Sequence, residues 1–227
     1  MRTLWVEASP KGEASLSTAL AEEFLAAAST DAVGVIEHLN VWSDGIPVTD
    51  GDVAHAKFAP LFGEDTTPEQ DRKWQQIVAE IERVRAVDRL VISSPMWNWS
   101  VPHRLKAWID VLIQPLLSFT LDAQGRHVGT LGQGRPAHLI LTRSSAYDGR
   151  HPELQDFQLP YLDYVFTLLG YTVDALVIEP TTRWTQQERE QLRQDALCSA
   201  RDRGAALKTP SHRLGEQQVE EPFTPRS

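Results

Sequence analysis

The chain has 227 residues, 41% of them hydrophobic, with 31 acidic against 22 basic side chains and a formal net charge of −9. That length and apolar share suffice for one sizeable core without covalent staples, the single cysteine excludes an intrachain disulfide or a multi-cysteine metal site, and acidity without a local basic stripe argues against nucleic acid as a partner. The start, "MRTLWVEAS", turns polar too soon for a secretion signal and no apolar run approaches the roughly 20 residues of a membrane span, so a cytoplasmic enzyme or binding protein is expected.

Strand and helix patterns alternate along the chain. "TLWVEA" (3–8) reads as a short buried strand, and a polar loop leads into a helix from Ser15 to about Ala28. "VGVIEHL" (33–39) is a second strand. Residues 41–66 are polar, carry glycine, proline and aspartate, and are too long for an ordinary connection, which marks them as a functional insertion. Thr67-Pro68-Glu69-Gln70 announces a helix, with a capping threonine, proline in the first turn and Gln70 placed to close a capping box; Trp74, Ile77, Ile81 and Val84 share one of its faces. "DRLVISS" (88–94) is the third strand and runs into "SPMWNWSVPHRLKAWID" (94–110), an aromatic bend followed by an amphipathic helix. "AHLILTR" (137–143) is the fourth strand, a helix covers roughly 153–169, and "YTVDALVIE" (171–179) is the fifth strand. A second capping box, Thr185-Gln186-Gln187-Glu188, opens a helix to about Leu207, in which Cys198 is read as a buried thiol beside Leu197 and Ala200. The tail, 209–227, has proline and charge with little periodicity and is expected to be mobile or laid on a neighbour.

Five strands alternating with helices predict an α/β fold, a doubly wound five-stranded parallel sheet with helices on both faces, as one domain over residues 1–208. Such sheets bind ligands beyond the carboxyl ends of their strands, where strand order reverses. The loops after strands one, three and four are therefore the ones to read for chemistry.

After strand one, Ser9, Ser15, Ser17 and Thr18 gather hydroxyls at the start of a helix, whose free N–H groups and dipole receive a phosphate well; capping by Ser15 is the plainer role. No Walker loop is present, and "GQGRPA" (132–137) precedes a strand instead of leading from one into a helix, so it cannot present amides to a pyrophosphate. After strand three, Met96, Trp97 and Trp99 offer a flat apolar wall and Asn98 a polar partner, although a tryptophan cluster is often plain core. After strand four, "TRSSAYDG" (142–149) supplies short hydroxyls and open backbone. Phosphate pocket, aromatic wall and polar edge are the parts an FMN site requires.

On the segments "SPKGEASLS", "SPMWNWSVPHRLKAWIDVL", "LTRSSAYDG" and "DFQLPYLDYVFTLLGYT", the sequence resembles the FMN-dependent NADH:azoreductase and NAD(P)H quinone oxidoreductase family. The resemblance implies a flavodoxin-like homodimer with phosphate contacts from Ser9, Ser15, Leu16 and Ser17. It implies isoalloxazine contacts from Pro95, Met96, Trp97, Asn98 and Trp99, and a ring-edge clamp from Thr142, Arg143, Ser144 and Ser145. It also implies ping-pong hydride transfer from NADH or NADPH to a small aromatic acceptor, a quinone or an azo compound, with the flavin and no catalytic residue carrying the chemistry. Trp97 and Trp99 stand where the family has smaller aromatics, and Ser144-Ser145 where it has a glycine pair.

Phe119 and Phe62, with Phe58, are candidates to cap the exposed face of the ring from the same or a partner subunit, or are ordinary packing aromatics. Arg143 is either a counter-charge for reduced flavin or a surface ion-pair residue, and "HRLKAWIDVLI" is the expected dimer surface. Seven scattered histidines show no metal-ligand spacing, so no metal is expected, and no G-x-S-x-G elbow suggests a hydrolase. A flavodoxin-type electron carrier that does not itself oxidise NAD(P)H, and a flavin-free scaffolding member of the fold, are the alternatives.

Overall fold

The computed structural model describes residues 1–151 and 153–207; the tail expected over 209–227 falls outside them. The elements run β1 (Arg2–Glu7), α1 (Leu16–Ala27), α2 (Thr30–Val33), β2 (Val35–Asn40), α3 (Gly51–Phe62), α4 (Pro68–Arg85), β3 (Arg89–Pro95), α5 (His103–Leu112), β4 (Phe119–Leu121), β5 (His127–Gly129), β6 (Pro136–Thr142), α6 (Leu159–Leu168), β7 (Thr172–Ile178) and α7 (Gln186–Ala205). Five strands form one parallel sheet in the order β2-β1-β3-β6-β7, and β4 and β5 form a separate antiparallel hairpin. The fold is thus the expected doubly wound α/β sheet, with its reversal of strand order between β1 and β3.

Alternate residues of the central strands go to opposite layers, as the period of a strand requires. Leu4, Val6, Leu90, Ile92, Leu139 and Leu141 meet Ile77, Ile81 and Val84 of α4, Leu105, Trp108 and Ile109 of α5, and Leu162 and Phe166 of α6. Trp5, Val91, Ile140 and Leu176 meet Leu20 and Phe24 of α1 and Ala196 and Ala200 of α7 on the other face. Both capping boxes form, at Thr67 with Gln70 and at Thr185 with Glu188.

Several boundaries depart from the sequence reading for local reasons. The insertion at 41–66 contains α3, capped by Asp50, whose side chain accepts from Asp52 N and Val53 N, and ended by Gly63 at φ 65°. The helix expected from 153 begins only at Leu159, because Asp156 Oδ1 accepts from the amides of Gln158 and Leu159, at 2.8 and 3.1 Å, and fixes the start there. The β4–β5 hairpin was not foreseen: its strands have three residues each, and Asp122 Oδ1 folds the turn by accepting from Gln124 N and Arg126 N. Cys198 is exposed, not buried, since α7 packs through Ala196, Ala200 and Gly204, every fourth residue. The apolar face of α5, expected at a dimer surface, lies in the chain's own core, where Trp108 Nε1 donates to Glu80 Oε1 at 2.7 Å.

The glycines of "GQGRPA" have a structural task. Gly132 N donates to Leu169 O and Gly134 N to Gly170 O, and a Cβ on Gly132 would come within 2.4 Å of Gly170 C. They close the amino-terminal rim of the sheet, opposite the rim where ligands bind.

Candidate functional site

The sheet register brings the three predicted loops side by side. Glu7 pairs with Ser93 and Pro95 with Thr142. Beyond those last pairs, Ala8 N donates to Ser93 O at 2.9 Å and Met96 N to Thr142 O at 2.8 Å. The loops after β1, β3 and β6 therefore leave the same rim at the reversal of strand order.

In the first loop Ser9, Ser15 and Ser17 are all buried and Leu16 half-buried. Ser9 Oγ accepts from Lys11 N at 3.3 Å, Ser15 Oγ accepts from Thr18 N at 3.4 Å, and the Ser15 and Ser17 hydroxyls lie 3.1 Å apart. Ser15 is thus both the cap and part of a hydroxyl cluster. The first amides of a helix have no intrahelical acceptor; here Thr18 N turns to Ser15, and the amides of Leu16 and Ser17 face outwards from the helix start with no backbone acceptor among the described residues. Two amides, a positive helix end and three hydroxyls are a donor set suited to a phosphate. Beneath them Glu7 is buried, accepting from Thr18 Oγ1 and Asn40 Nδ2 at 2.8 and 2.9 Å and facing His38 Nε2 at 3.1 Å.

In the second loop Trp97 and Ser100 form an isolated antiparallel bridge around Asn98 and Trp99, whose φ values are 46° and 67°. Two consecutive positive φ angles in a two-residue reversal are the mark of a type I′ turn, where Asn-Gly is preferred. Asparagine suits the first position, whereas a left-handed tryptophan carries a penalty of roughly 1–2 kcal/mol. The residue is 53% exposed, so burial does not offset that strain. The turn holds a large aromatic ring at the rim.

Two aromatic partners escaped the sequence reading. Trp42, just past the end of β2, places its ring 5.4 Å from that of Trp97, and His103 at the start of α5 lies 5.0 Å from Trp42 in an edge-on arrangement. Both stand at element ends on the binding rim, and that position was the signal available. Phe157 and Gln158 were also missed: Phe157 N donates to Trp99 O at 2.9 Å and Ser100 Oγ to Phe157 O at 3.1 Å, which ties the turn to the segment before α6.

In the third loop Thr142 is buried, Ser145 half-buried and Ser144 exposed, its carbonyl accepting from Thr182 N at 3.3 Å. Arg143 is not a surface residue. Its side chain is 3% exposed, with Nη1 2.9 Å from Glu179 Oε2, Nη2 2.8 Å from Asp156 Oδ2 and Nε 3.1 Å from Gln158 Oε1. The Asp156 contact is too oblique for a hydrogen bond and acts through charge. Its amide donates to Ile178 O and its carbonyl accepts from Thr181 N. The guanidinium is therefore committed to two carboxylates, an ion-paired arginine as the second reading had it but in the interior; it holds the loops in place, with Gln158 in turn reaching Ser94 O at 3.4 Å.

The two phenylalanines lie apart. Phe62 ends α3 at 68% exposure, with Phe58 at 45%. Phe119 is in the hairpin, its ring 5.0 Å from that of His127. Thr130 N closes the base of the hairpin on Ser118 O at 2.9 Å, and Arg85 at the end of α4 fastens that base at the amino-terminal rim by donating to Leu117 O and Thr130 O. Within one chain Phe119 thus sits at the wrong end of the sheet to cap the crevice, and the same-subunit reading falls. A depression of about 550 Å³ lined by Ser145, Ala146, Arg150, Leu154 and Pro180 shares only Ser145 with the predicted site.

A family model described as the flavodoxin-like fold matches residues 1–203. Among curated proteins, the chain is 35% identical over 201 residues to the FMN-dependent NADH:quinone oxidoreductase of Nitratidesulfovibrio vulgaris strain DP4, covering 87% of this chain and 95% of that protein. It is 36% identical over 184 residues to FMN-dependent NADH:quinone oxidoreductase 2 of Pseudomonas syringae pv. tomato, covering 80% and 87%. Among solved structures, an FMN-dependent NADH-azoreductase from Bacillus anthracis in complex with FMN superposes with a TM-score of 0.79 at 22% identity over 91% of this chain and 99% of that one.

Proposed function

The chain belongs to the flavodoxin-like fold family, with FMN-dependent NADH:quinone oxidoreductases among its relatives, and on that footing we propose that it is an FMN-dependent NAD(P)H oxidoreductase reducing quinones and azo compounds. The observation that carries the reading is the register that sets a hydroxyl-lined helix start, an aromatic turn and a hydroxyl-bearing loop side by side at the reversal of strand order. The residues present fit the cofactor. Ser9, Ser15, Ser17 and the Leu16 and Ser17 amides form a cradle for its phosphate. Pro95, Met96, Trp97, Asn98 and Trp99 form a wall for its ring, and Thr142 with the loop through Ser144 and Ser145 forms the edge.

When bound, FMN supplies the two-electron chemistry between a nicotinamide and the acceptor, which need no proteinaceous nucleophile. The chain's own residues bind and orient. The helix start of α1 fixes the phosphate end, and the half-buried Trp97 excludes water from one side of the ring. Trp99 presents a flat apolar surface on which an aromatic acceptor or a nicotinamide stacks. Productive transfer requires reacting atoms roughly 3–3.5 Å apart, so rigid flat walls matter more here than an acid–base pair.

Homodimerisation is part of this reading. Phe119, at the far rim of its own sheet, then caps the crevice of the second copy, and Phe62 lines the approach. Cytoplasmic residence is supported by the use of a single, exposed thiol; among the described residues no helix is long and apolar enough to cross a membrane.

The alternative, an electron carrier without its own NAD(P)H oxidation, is separated by one experiment. Protein loaded with FMN is mixed anaerobically with NADH or NADPH and then with a quinone and an azo dye. Rapid bleaching of the flavin followed by turnover of acceptor is expected. Loaded protein that does not react with either nicotinamide is a carrier, and protein that takes up no FMN overturns the reading altogether.

A further inference from the structure

We propose that Trp42 is a positioning residue that sets the plane of Trp97 and couples the phosphate loop to the aromatic turn; this rests on the FMN reading above.

Trp42 lies in the connection between β2 and α3, and its backbone is held from several sides. Val41 N donates to Glu7 O at 3.1 Å, Arg104 Nε of α5 donates to Val41 O at 2.8 Å, and Trp42 N donates to Asn40 Oδ1 at 2.9 Å. The side chain then reaches across the rim. Its Nε1 donates to Ala8 O at 3.0 Å, on the residue immediately before Ser9, while its ring lies 5.4 Å from Trp97 at 50° and 5.0 Å from His103 at 87°. A single indole therefore touches the loop after β1, the loop after β3 and the start of α5.

An indole has one donor, and directing it to a fixed carbonyl locks the rotation of the ring. Ala8 is itself fixed through its amide on Ser93 O. Trp97 has its backbone fixed by the turn, yet its side chain is only half-buried. The tilt of Trp97 thus depends on the face Trp42 offers, and the wall is set before any ligand arrives, which removes an ordering penalty from binding. Phenylalanine at residue 42 keeps an aromatic ring but loses the donor that orients it.

Two tilted indoles this close couple their far-ultraviolet transitions. Apoprotein is expected to show an exciton couplet in circular dichroism that disappears to the same extent in Trp42→Phe and in Trp97→Phe. FMN is then titrated into apoprotein and followed by quenching of flavin fluorescence. Trp42→Phe is expected to raise Kd about tenfold. The double variant should be no weaker than Trp97→Phe alone, because brace and braced ring act as one unit. A Trp42→Phe affinity equal to wild type, or losses that simply add, overturns the proposal. Wild-type apoprotein that fails to quench FMN overturns the FMN reading instead, and the couplet then still reports whether the two rings are paired.

Discussion

Trp97 and Ser100 exchange both backbone hydrogen bonds, each of 2.9 Å, and so close a reversal in which an asparagine and a tryptophan carry the positive φ angles. Glycine at residue 99 would take that conformation without penalty. Trp99→Gly is therefore expected to stabilise the fold by about 1 kcal/mol, read as a higher urea midpoint at unchanged slope, and to lower quinone turnover because the exposed indole is gone. Greater stability with unaltered turnover would show that the indole plays no part at the acceptor site.

Ser15 caps α1 and, in the proposed function, belongs to the phosphate cradle, and the two roles can be parted. Aspartate caps about as well as serine but repels a phosphate. Ser15→Asp should keep its helical circular dichroism and lose FMN affinity by at least about tenfold, while Ser15→Thr keeps both. Tight FMN binding by Ser15→Asp would move the phosphate site elsewhere.

Removing the buried guanidinium leaves Asp156 and Glu179, 18% and 22% exposed, without their cation. Arg143→Met is expected to cost about 3 kcal/mol in urea denaturation. Adding Glu179→Gln should recover part of that loss, since one of the stranded carboxylates is then neutral. An unchanged midpoint in Arg143→Met would refute the loop-holding role.

His138 is buried between Arg89, whose Nη1 lies 2.6 Å from Nε2, and Asp174, whose Oδ2 lies 3.3 Å from Nδ1. Burial first, and then the Arg89 charge, lower its pKa from 6.5 to about 4. Below pH 6.5 the unfolded chain binds a proton that the native state refuses. Stability should therefore fall as pH drops from 6.5 to about 4, by about 3 kcal/mol in total, and this contribution should be flat above 6.5. His138→Gln is expected to flatten that window in pH-dependent urea unfolding; an unaltered slope would place the titration on other groups.

What the sequence made legible is what short-range chemistry decides. The five strands declare themselves by apolar runs, and both capping boxes by a threonine and its acceptor three residues on. Ser9, Ser15, Asn98 and Thr142 fall on one rim because position after a strand is a local property and the parallel sheet does the rest. The pairing of Trp42 with Trp97 was not legible, because it requires β2 and β3 to flank β1, a matter of strand order. Arg143 could not be read as interior, since its carboxylates come from the segment before α6 and from the end of β7. Phe119 is a third case: its place is set by Arg85 of α4, which holds the base of the hairpin at Leu117 O and Thr130 O, not by its own neighbours in sequence.

The stripe of Ala196, Ala200 and Gly204 brings α7 so close to α1 that a Cβ at residue 204 would lie 2.1 Å from Phe24 O. The last helix is therefore seated by shape more than by grease, with the Arg201–Glu23 and Arg203–Asp174 ion pairs at its margin. A single added methyl group there would wedge apart the two helices of that layer and tilt the one whose amino end carries the serines. Helix α7 thus acts as a shim, and its thinness keeps the start of α1 in register.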